Sequence, residues 1–315
     1  MAGKHTIIID TDPGQDDAVA ILLALASPED FDILGVVAVA GNVPLSFTST
    51  NVRKILELGG RPDIPVYAGC RRPMLREPRT AEYVHGPTGL NGPDLPEPEM
   101  PLGKQHGIDW LIDTIWAYPP GSITLCTLGP LTNVGMAFVK SPDIALRLKQ
   151  IVMMAGAFFE GGNVTPTAEF NVYVDPEAAD VVLRSGVPIT MLPLDVTHKV
   201  LSTQARIAAF RGLGNKTGKA VAEMLSFSEA FDVKKYGSDG APLHDPNVIA
   251  WLLAPGLYTG RHINVTVETA SPLTLGMTVA DWWSVTGRPA NATYLREVDA
   301  GGFYAMLTER LRKLP

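Results

Sequence analysis

The stretch Thr6-Ile7-Ile8-Ile9-Asp10-Thr11-Asp12-Pro13-Gly14-Gln15-Asp16-Asp17-Ala18 joins a β-branched run to a turn holding four carboxylates, and an apolar segment at residues 18–25 follows. β-Branched residues suit a buried strand and the longer apolar segment suits a helix, so the order reads strand, acidic turn, helix. The same alternation recurs downstream. Residues 33–39, 123–127, 151–154 and 189–192 read as buried strands like 6–9, and residues 48–58, 108–116, 131–139 and 176–184 read as helices. The last of these opens on Pro176, where a missing N–H costs nothing. Strands alternating with helices predict an α/β fold with a doubly wound, mostly parallel sheet, and no composition shift divides the 315 residues into more than one domain.

Two stretches break the rhythm. Residues 70–106 are dense in Pro and Gly, and residues 155–175 carry Gly161-Gly162-Asn163 among scattered polar side chains. Long irregular segments in such a fold are functional loops, and ligands bind beyond the carboxyl ends of the strands. A third polar stretch, 236–243, lies between helical segments at 218–235 and 245–253.

Composition narrows the function classes. Hydrophobic residues make up 46% and charged residues 19%, with a formal charge of -7, so a packed soluble domain is expected. The acidic balance and the absence of a Lys/Arg run argue against a nucleic-acid partner. No run reaches the ~18 apolar residues of a membrane span. The apolar run after Met1 is too short for a signal peptide, and Cys70 and Cys126 form neither a disulfide framework nor a zinc signature. A cytoplasmic location is expected.

The acidic turn is the chemically loudest feature. One Asp there would serve as a helix N-cap, and that reading covers part of Asp16, but it cannot absorb four carboxylates. Converging carboxylates raise one another's pKa unless a cation neutralises them, so the turn points to Ca²⁺ or Mg²⁺. An EF-hand register fails, because counting from Asp10 puts Gln15 at the turn glycine and Ile21 at the bidentate Glu. Asp10-Thr11-Asp12 also resembles the haloacid-dehalogenase phosphatases, in which the first Asp is a nucleophile, although Pro-Gly and a further Asp pair are unusual there.

The set of motifs as a whole resembles the inosine-uridine type nucleoside hydrolases, which open on Asp-x-Asp-Pro-Gly-x-Asp-Asp-Ala. Gly41-Asn42, Val84-His85-Gly86, Leu128-Gly129-Pro130-Leu131-Thr132-Asn133, Gly162-Asn163, Ala168-Glu169-Phe170-Asn171, Asp175-Pro176-Glu177-Ala178 and Leu243-His244-Asp245-Pro246 follow in the family's order across almost the whole chain. The resemblance implies hydrolysis of the N-glycosidic bond of ribonucleosides to ribose and free base. It implies one Ca²⁺ held by Asp12, Asp17, Asp245 and the backbone carbonyl of Leu128. Asp12 is implied as general base, and Asp16, Asn42, Asn163, Glu169 and Asn171 as partners of the ribose hydroxyls, with Met154 and Phe170 lining the pocket.

His244, beside Asp245, is the candidate donor to the departing base. His85 reads either as a base-contacting residue or as a plain turn residue, and Tyr236 either closes over the base or stands exposed in its loop. Met154 also reads as the end of a core strand. A homo-oligomer, dimer or tetramer, is implied, while the purine or pyrimidine preference is not. A non-catalytic nucleoside- or sugar-binding protein on the same scaffold is the third alternative.

Two departures from the family pattern stand out. Met154-Ala155-Gly156 replaces Met-Gly-Gly, so the extra methyl is expected to narrow the approach to the sugar, and Leu128 stands where some members have Thr. Trp251, at helical spacing, reads as core, and Trp282-Trp283 as packing or subunit contact. Residues 93–101 read as a surface loop.

Overall fold

A computed structural model of the chain describes residues 3–315, apart from the side chains of Ala230, Asp232 and Tyr236. Its strands are β1 (His5–Thr11), β2 (Phe31–Ala38), β3 (Val66–Ala68), β4 (Ile123–Thr127), β5 (Gln150–Met153), β6 (Ile189–Met191), β7 (Leu201–Thr203), β8 (Gly240–Pro242), β9 (Tyr258–Ile263), β10 (Val265–Val267), β11 (Thr278–Ala280) and β12 (Ala292–Val298). Eight of them form one sheet in the order β3-β2-β1-β4-β5-β6-β12-β9. All neighbours in it run parallel except β12 and β9 at the edge. Two short antiparallel pairs, β7 with β8 and β10 with β11, lie outside it.

Both faces of the sheet are covered, as the near-continuous apolar runs require. Successive residues of a strand point to opposite faces, so Ile7 and Ile9 enter one hydrophobic cluster while Ile8 enters the other. Helices Gln15–Leu25, Pro246–Leu253 and Ala300–Leu311 contribute Leu22, Ile249 and Phe303 to the first. Helices Gly107–Ala117, Thr132–Lys140 and Pro176–Leu183 contribute Leu111, Val134 and Val182 to the second. The expected fold class is the observed one.

Each strand and helix expected in the first two-thirds of the chain is present within a few residues of the predicted limits. The first helix starts earlier than residue 18, at Gln15, with Gly14 as its N-cap. Asp16 therefore stands inside the first turn and is not the cap; Asp17, three residues on from Gly14, accepts the Gly14 N–H instead. The two irregular stretches are loops broken only by the short helices Glu82–His85 and Phe170–Val174. The polar stretch at 236–243 contains β8, which pairs with β7.

Trp251 packs against the core and meets the Tyr258 ring edge-on, with centroids 5.9 Å apart. Trp282 packs against the second cluster, whereas Trp283 is 74% exposed. Among the described residues no helix is long and apolar enough to cross a membrane.

Leu22 has no exposed surface and sits where the first helix meets the sheet. Leu22→Ala is expected to cost about 2–5 kcal/mol, read as a lower denaturation midpoint with an unchanged slope in urea.

Candidate active site

The chain order reverses between β1 and β4, which are paired with Ile8 opposite Leu125 and Asp10 opposite Thr127. Connections on either side of such a switch point leave for opposite faces, and a crevice opens beyond the strand ends. The acidic turn projects from β1 into that crevice. Leu128 prolongs β4 beside it, its N–H bonded to the Asp10 carbonyl at 2.8 Å.

Asp12 lies beside the floor and is almost fully buried. Its Oδ2 accepts the backbone N–H of Asn42 at 2.7 Å, while its Oδ1 has no hydrogen-bond partner among the described residues. Gly41 and Gly129 press on this carboxyl from two sides. A Cβ on Gly41 would stand 2.0 Å from Asp12 Oδ2, and one on Gly129 would stand 2.2 Å from Oδ1, so side chains are barred there by contact.

Asp17 is held by the turn itself. Its Oδ1 accepts the Thr11 hydroxyl at 2.5 Å, and its Oδ2 accepts the Gly14 N–H at 2.9 Å. Burial, followed by the charge of Asp16, raises the Asp17 pKa. Asp12 and Asp245 are pushed well above the ordinary carboxylate range, first by burial and then by neighbouring carboxylates.

Asp16, Asp17 and Asp245 bring carboxylate oxygens within 4.8 Å of one another. This cluster of hard oxygen donors, with the unpartnered, buried Oδ1 of Asp12 nearby, suits a divalent cation. The grouping differs from the expected one in including Asp16 and not Asp12. The Leu128 carbonyl accepts the Asn171 side-chain N–H at 2.8 Å, and a carbonyl's second lone pair leaves room for another partner.

Above the floor, Glu169 caps the helix Phe170–Val174. Its Oε1 accepts the Asn171 N–H at 2.7 Å, and its Oε2 accepts those of Gly156 at 2.9 Å and Val172 at 3.2 Å. Burial pushes its pKa up to about 7. Asn171 Nδ2 also donates to the Met154 carbonyl at 3.0 Å, and Asn163 Oδ1 accepts the Phe170 N–H at 2.9 Å. Asp16, Asn42, His85, Met154, Asn163, Glu169, Phe170, Asn171, His244 and Asp245 line one cavity together with the Leu128 segment. The expected site residues therefore converge there or, like Asp12 and Asp17, lie beside its floor. The side chain of Tyr236 is outside the described residues.

Ala155 behaves differently from expectation. It is 1% exposed and packs into the second hydrophobic cluster, so its methyl does not narrow the cavity. The position that needs glycine is the next one, Gly156, at φ +85° with its N–H on Glu169. Asp10, the nucleophile of the phosphatase alternative, is buried away from the cavity and accepts the Asn133 side-chain N–H at 2.7 Å.

Other lining residues escaped the sequence reading. Gln15 fixes the His85 loop, its Oε1 lying 2.6 Å from His85 Nδ1 while its Nε2 donates to the carbonyls of His85 and Asn91 at 3.0 and 3.1 Å. Leu225, Ser228, Phe231 and Lys235 recur three or four residues apart along the helix Lys216–Tyr236 and form one wall. Phe231 meets Tyr83 edge-on with centroids 5.7 Å apart, and Lys235 donates to the Asn163 carbonyl at 2.7 Å, joining two lips of the cavity. The spacing on the long helix was the available signal.

His244 Nδ1 lies 2.7 Å from the Thr197 hydroxyl. Burial draws its pKa well below the ordinary histidine value, assisted by the charges of His198, His85 and Lys235. Burial also lowers the His85 pKa.

The description of the inosine-uridine preferring nucleoside hydrolases matches residues 7–305. An uncharacterized protein of Schizosaccharomyces pombe is 56% identical over 98% of this chain and 99% of its own length. A pyrimidine-specific ribonucleoside hydrolase of Salmonella gallinarum, RihA, is 46% identical over 97% of this chain and 98% of its own. Among solved structures, the purine-preferring ribonucleoside hydrolase from Gardnerella vaginalis superposes with a TM-score of 0.91 at 31% identity, covering 98% of both chains. The sheet, the crevice and these matches define a hydrolase acting on N-glycosyl bonds. The chain belongs to the inosine-uridine preferring nucleoside hydrolase family.

The buried acids make metal-free stability fall with pH. Asp10, whose ordinary pKa is 3.8, is pushed up to about 7 by burial. Between these values the unfolded chain loses a proton that the folded chain keeps, so this contribution is complete below about 4 and lost as pH rises through 7. In chelator-treated protein, the decline in unfolding free energy between pH 5 and 7.5 should be shallower for Asp10→Asn than for the parent, measured by urea titration.

Proposed function

We propose that this chain, as one catalytic domain over residues 1–315, performs calcium-assisted hydrolysis of ribonucleosides to ribose and free base, with pyrimidine nucleosides preferred. The observation that carries the mechanism is the geometry of Asp12: a buried carboxylate, fixed at Oδ2 by Asn42, with a buried Oδ1 that has no hydrogen-bond partner among the described residues, near the Asp16, Asp17 and Asp245 cluster. Asp12, Asp17, Asp245 and the Leu128 carbonyl would hold Ca²⁺, and the position of Asp16 in the cluster gives it a further oxygen within reach. When bound, the cation offsets the converging negative charge and lowers the pKa of a nearby water.

Asp12 Oδ1 accepts a proton from the attacking water as its oxygen forms a bond to the anomeric carbon. The bond to the base nitrogen breaks and its electron pair leaves with the base. Positive charge develops on the sugar in an oxocarbenium-like state, and the surrounding carboxylates favour it. Asp16, Asn42, Asn163, Glu169 and Asn171 hold the ribose hydroxyls while Met154 and Phe170 close against the sugar. Glu169 and Asn171 are already fixed by backbone bonds, so little reorganisation accompanies binding.

His244 donates a hydrogen bond to the departing base from the cavity wall, and His85 bounds the base end. The pyrimidine preference is supported by the 46% identity to RihA across nearly the full length of both chains. Family resemblance supports a cytoplasmic homo-oligomer, dimer or tetramer.

Purified protein is expected to release ribose from uridine and cytidine faster than from inosine and adenosine. A calcium chelator should abolish release, and added Ca²⁺ should restore it. Turnover that persists through chelation would remove the cation's role; faster purine turnover would overturn the pyrimidine preference, and nucleoside binding without ribose release would favour the binding-protein alternative. Asp12→Ala should lower kcat by ~10²–10⁴-fold with unchanged circular dichroism. Asp245→Ala should weaken calcium binding by titration calorimetry, and an unchanged isotherm would contradict the assigned ligand set.

A further inference from the structure

The segment after β6 is anchored on several sides. The short helix Leu194–Thr197 starts with the Leu194 N–H on the Gly156 carbonyl at 2.9 Å. Asp195 accepts the N–H groups of Phe158 at 3.0 Å and Glu160 at 2.6 Å, together with the Tyr294 hydroxyl. Thr197 ends this helix without exposed surface, its own N–H bonded to the Pro193 carbonyl at 3.1 Å. Its hydroxyl, placed by this rigid support, lies 2.7 Å from His244 Nδ1.

The contact leaves the other ring nitrogen of His244, which lines the cavity, to face a ligand. A neutral imidazole carries one N–H, and the partner of one nitrogen decides which nitrogen bears it. Were Thr197 to accept from Nδ1, a bare Nε2 lone pair would oppose an electron-rich departing base. A Thr197 hydroxyl that donates to Nδ1 leaves the hydrogen on Nε2, where it stabilises that base.

We propose that Thr197 is a positioning residue that fixes the orientation of the His244 ring and, by donating to Nδ1, keeps the ring hydrogen on Nε2 toward the leaving nucleobase. This rests on the reading of His244 as hydrogen-bond donor to the base. Thr197 does not line the cavity and acts only through His244. His198, next in the chain, stacks obliquely with its ring centroid 5.7 Å from that of His244 and its Nδ1 3.5 Å from Glu160, which packs the ring from a second side.

The test compares uridine, whose base leaves poorly, with p-nitrophenyl β-D-riboside, whose phenolate leaves without assistance. Thr197→Val keeps the shape and removes the hydroxyl. It should lower the ratio of kcat on uridine to kcat on the activated riboside by about tenfold, the loss expected for one hydrogen bond. Thr197→Ser should restore the ratio. In a His244→Ala background, Thr197→Val should change the ratio no further. An unchanged ratio for Thr197→Val, or equal losses on both substrates, would overturn the positioning role. An unchanged ratio for His244→Ala would instead overturn the donor reading of His244 beneath it. Should Thr197→Val lose its fold by circular dichroism, the Thr197→Ala variant provides the same comparison, with the serine variant again expected to restore the ratio.

Discussion

Everything at the site depends on keeping mutually repelling carboxylates together in a buried space. Asp10, Asp12, Asp17 and Asp245 are all buried, and burial is the first cause of each raised pKa. The fold holds this arrangement with directed donors. Asn133 serves Asp10, the Asn42 backbone serves Asp12, and the Thr11 hydroxyl and Gly14 N–H serve Asp17. The first helix also presents its positive end to Asp16 and Asp17. What these donors leave uncompensated is the electrostatic capacity for a cation. A binding site of this kind is built by withholding the last partner rather than by supplying it.

The parallel sheet makes that geometry possible. Neighbouring strands β1 and β4 end together, so Asp12 and Leu128 reach the same crevice although they lie far apart in the chain. Gly41 and Gly129 then bring backbone close enough to lock the Asp12 carboxyl. Both glycines follow strand ends, one after β2 and the other after β4, so the close approach is a property of the strand-to-loop transitions themselves.

Local patterns make the central fold readable in the sequence. Ile7-Ile8-Ile9 gives a strand buried on both faces, and the acidic turn ahead of an apolar helix marks its end as chemically active. Edge strand β9 lacked such a signal, because its interior residues Thr259, Gly260, Arg261 and His262 are exposed and read as polar chain. β3 is only three residues long. At the site, motif residues were legible individually, while Gln15, Thr197 and Asn133 gain meaning only through partners brought close by folding. Asp16 is not the cap because Gly14 begins the helix without a side chain, with Asp17 reaching back to its N–H.

The acidic cluster unites Asp16 and Asp17 of the first helix with Asp245, far along the chain. During synthesis the first strand and helix emerge long before the segment that carries Asp245. A ribosome-bound fragment therefore exposes Asp16 and Asp17 without their third companion. The complete acidic cluster therefore appears only after the segment carrying Asp245 has been made, so chemical competence waits on a late-emerging part of the fold.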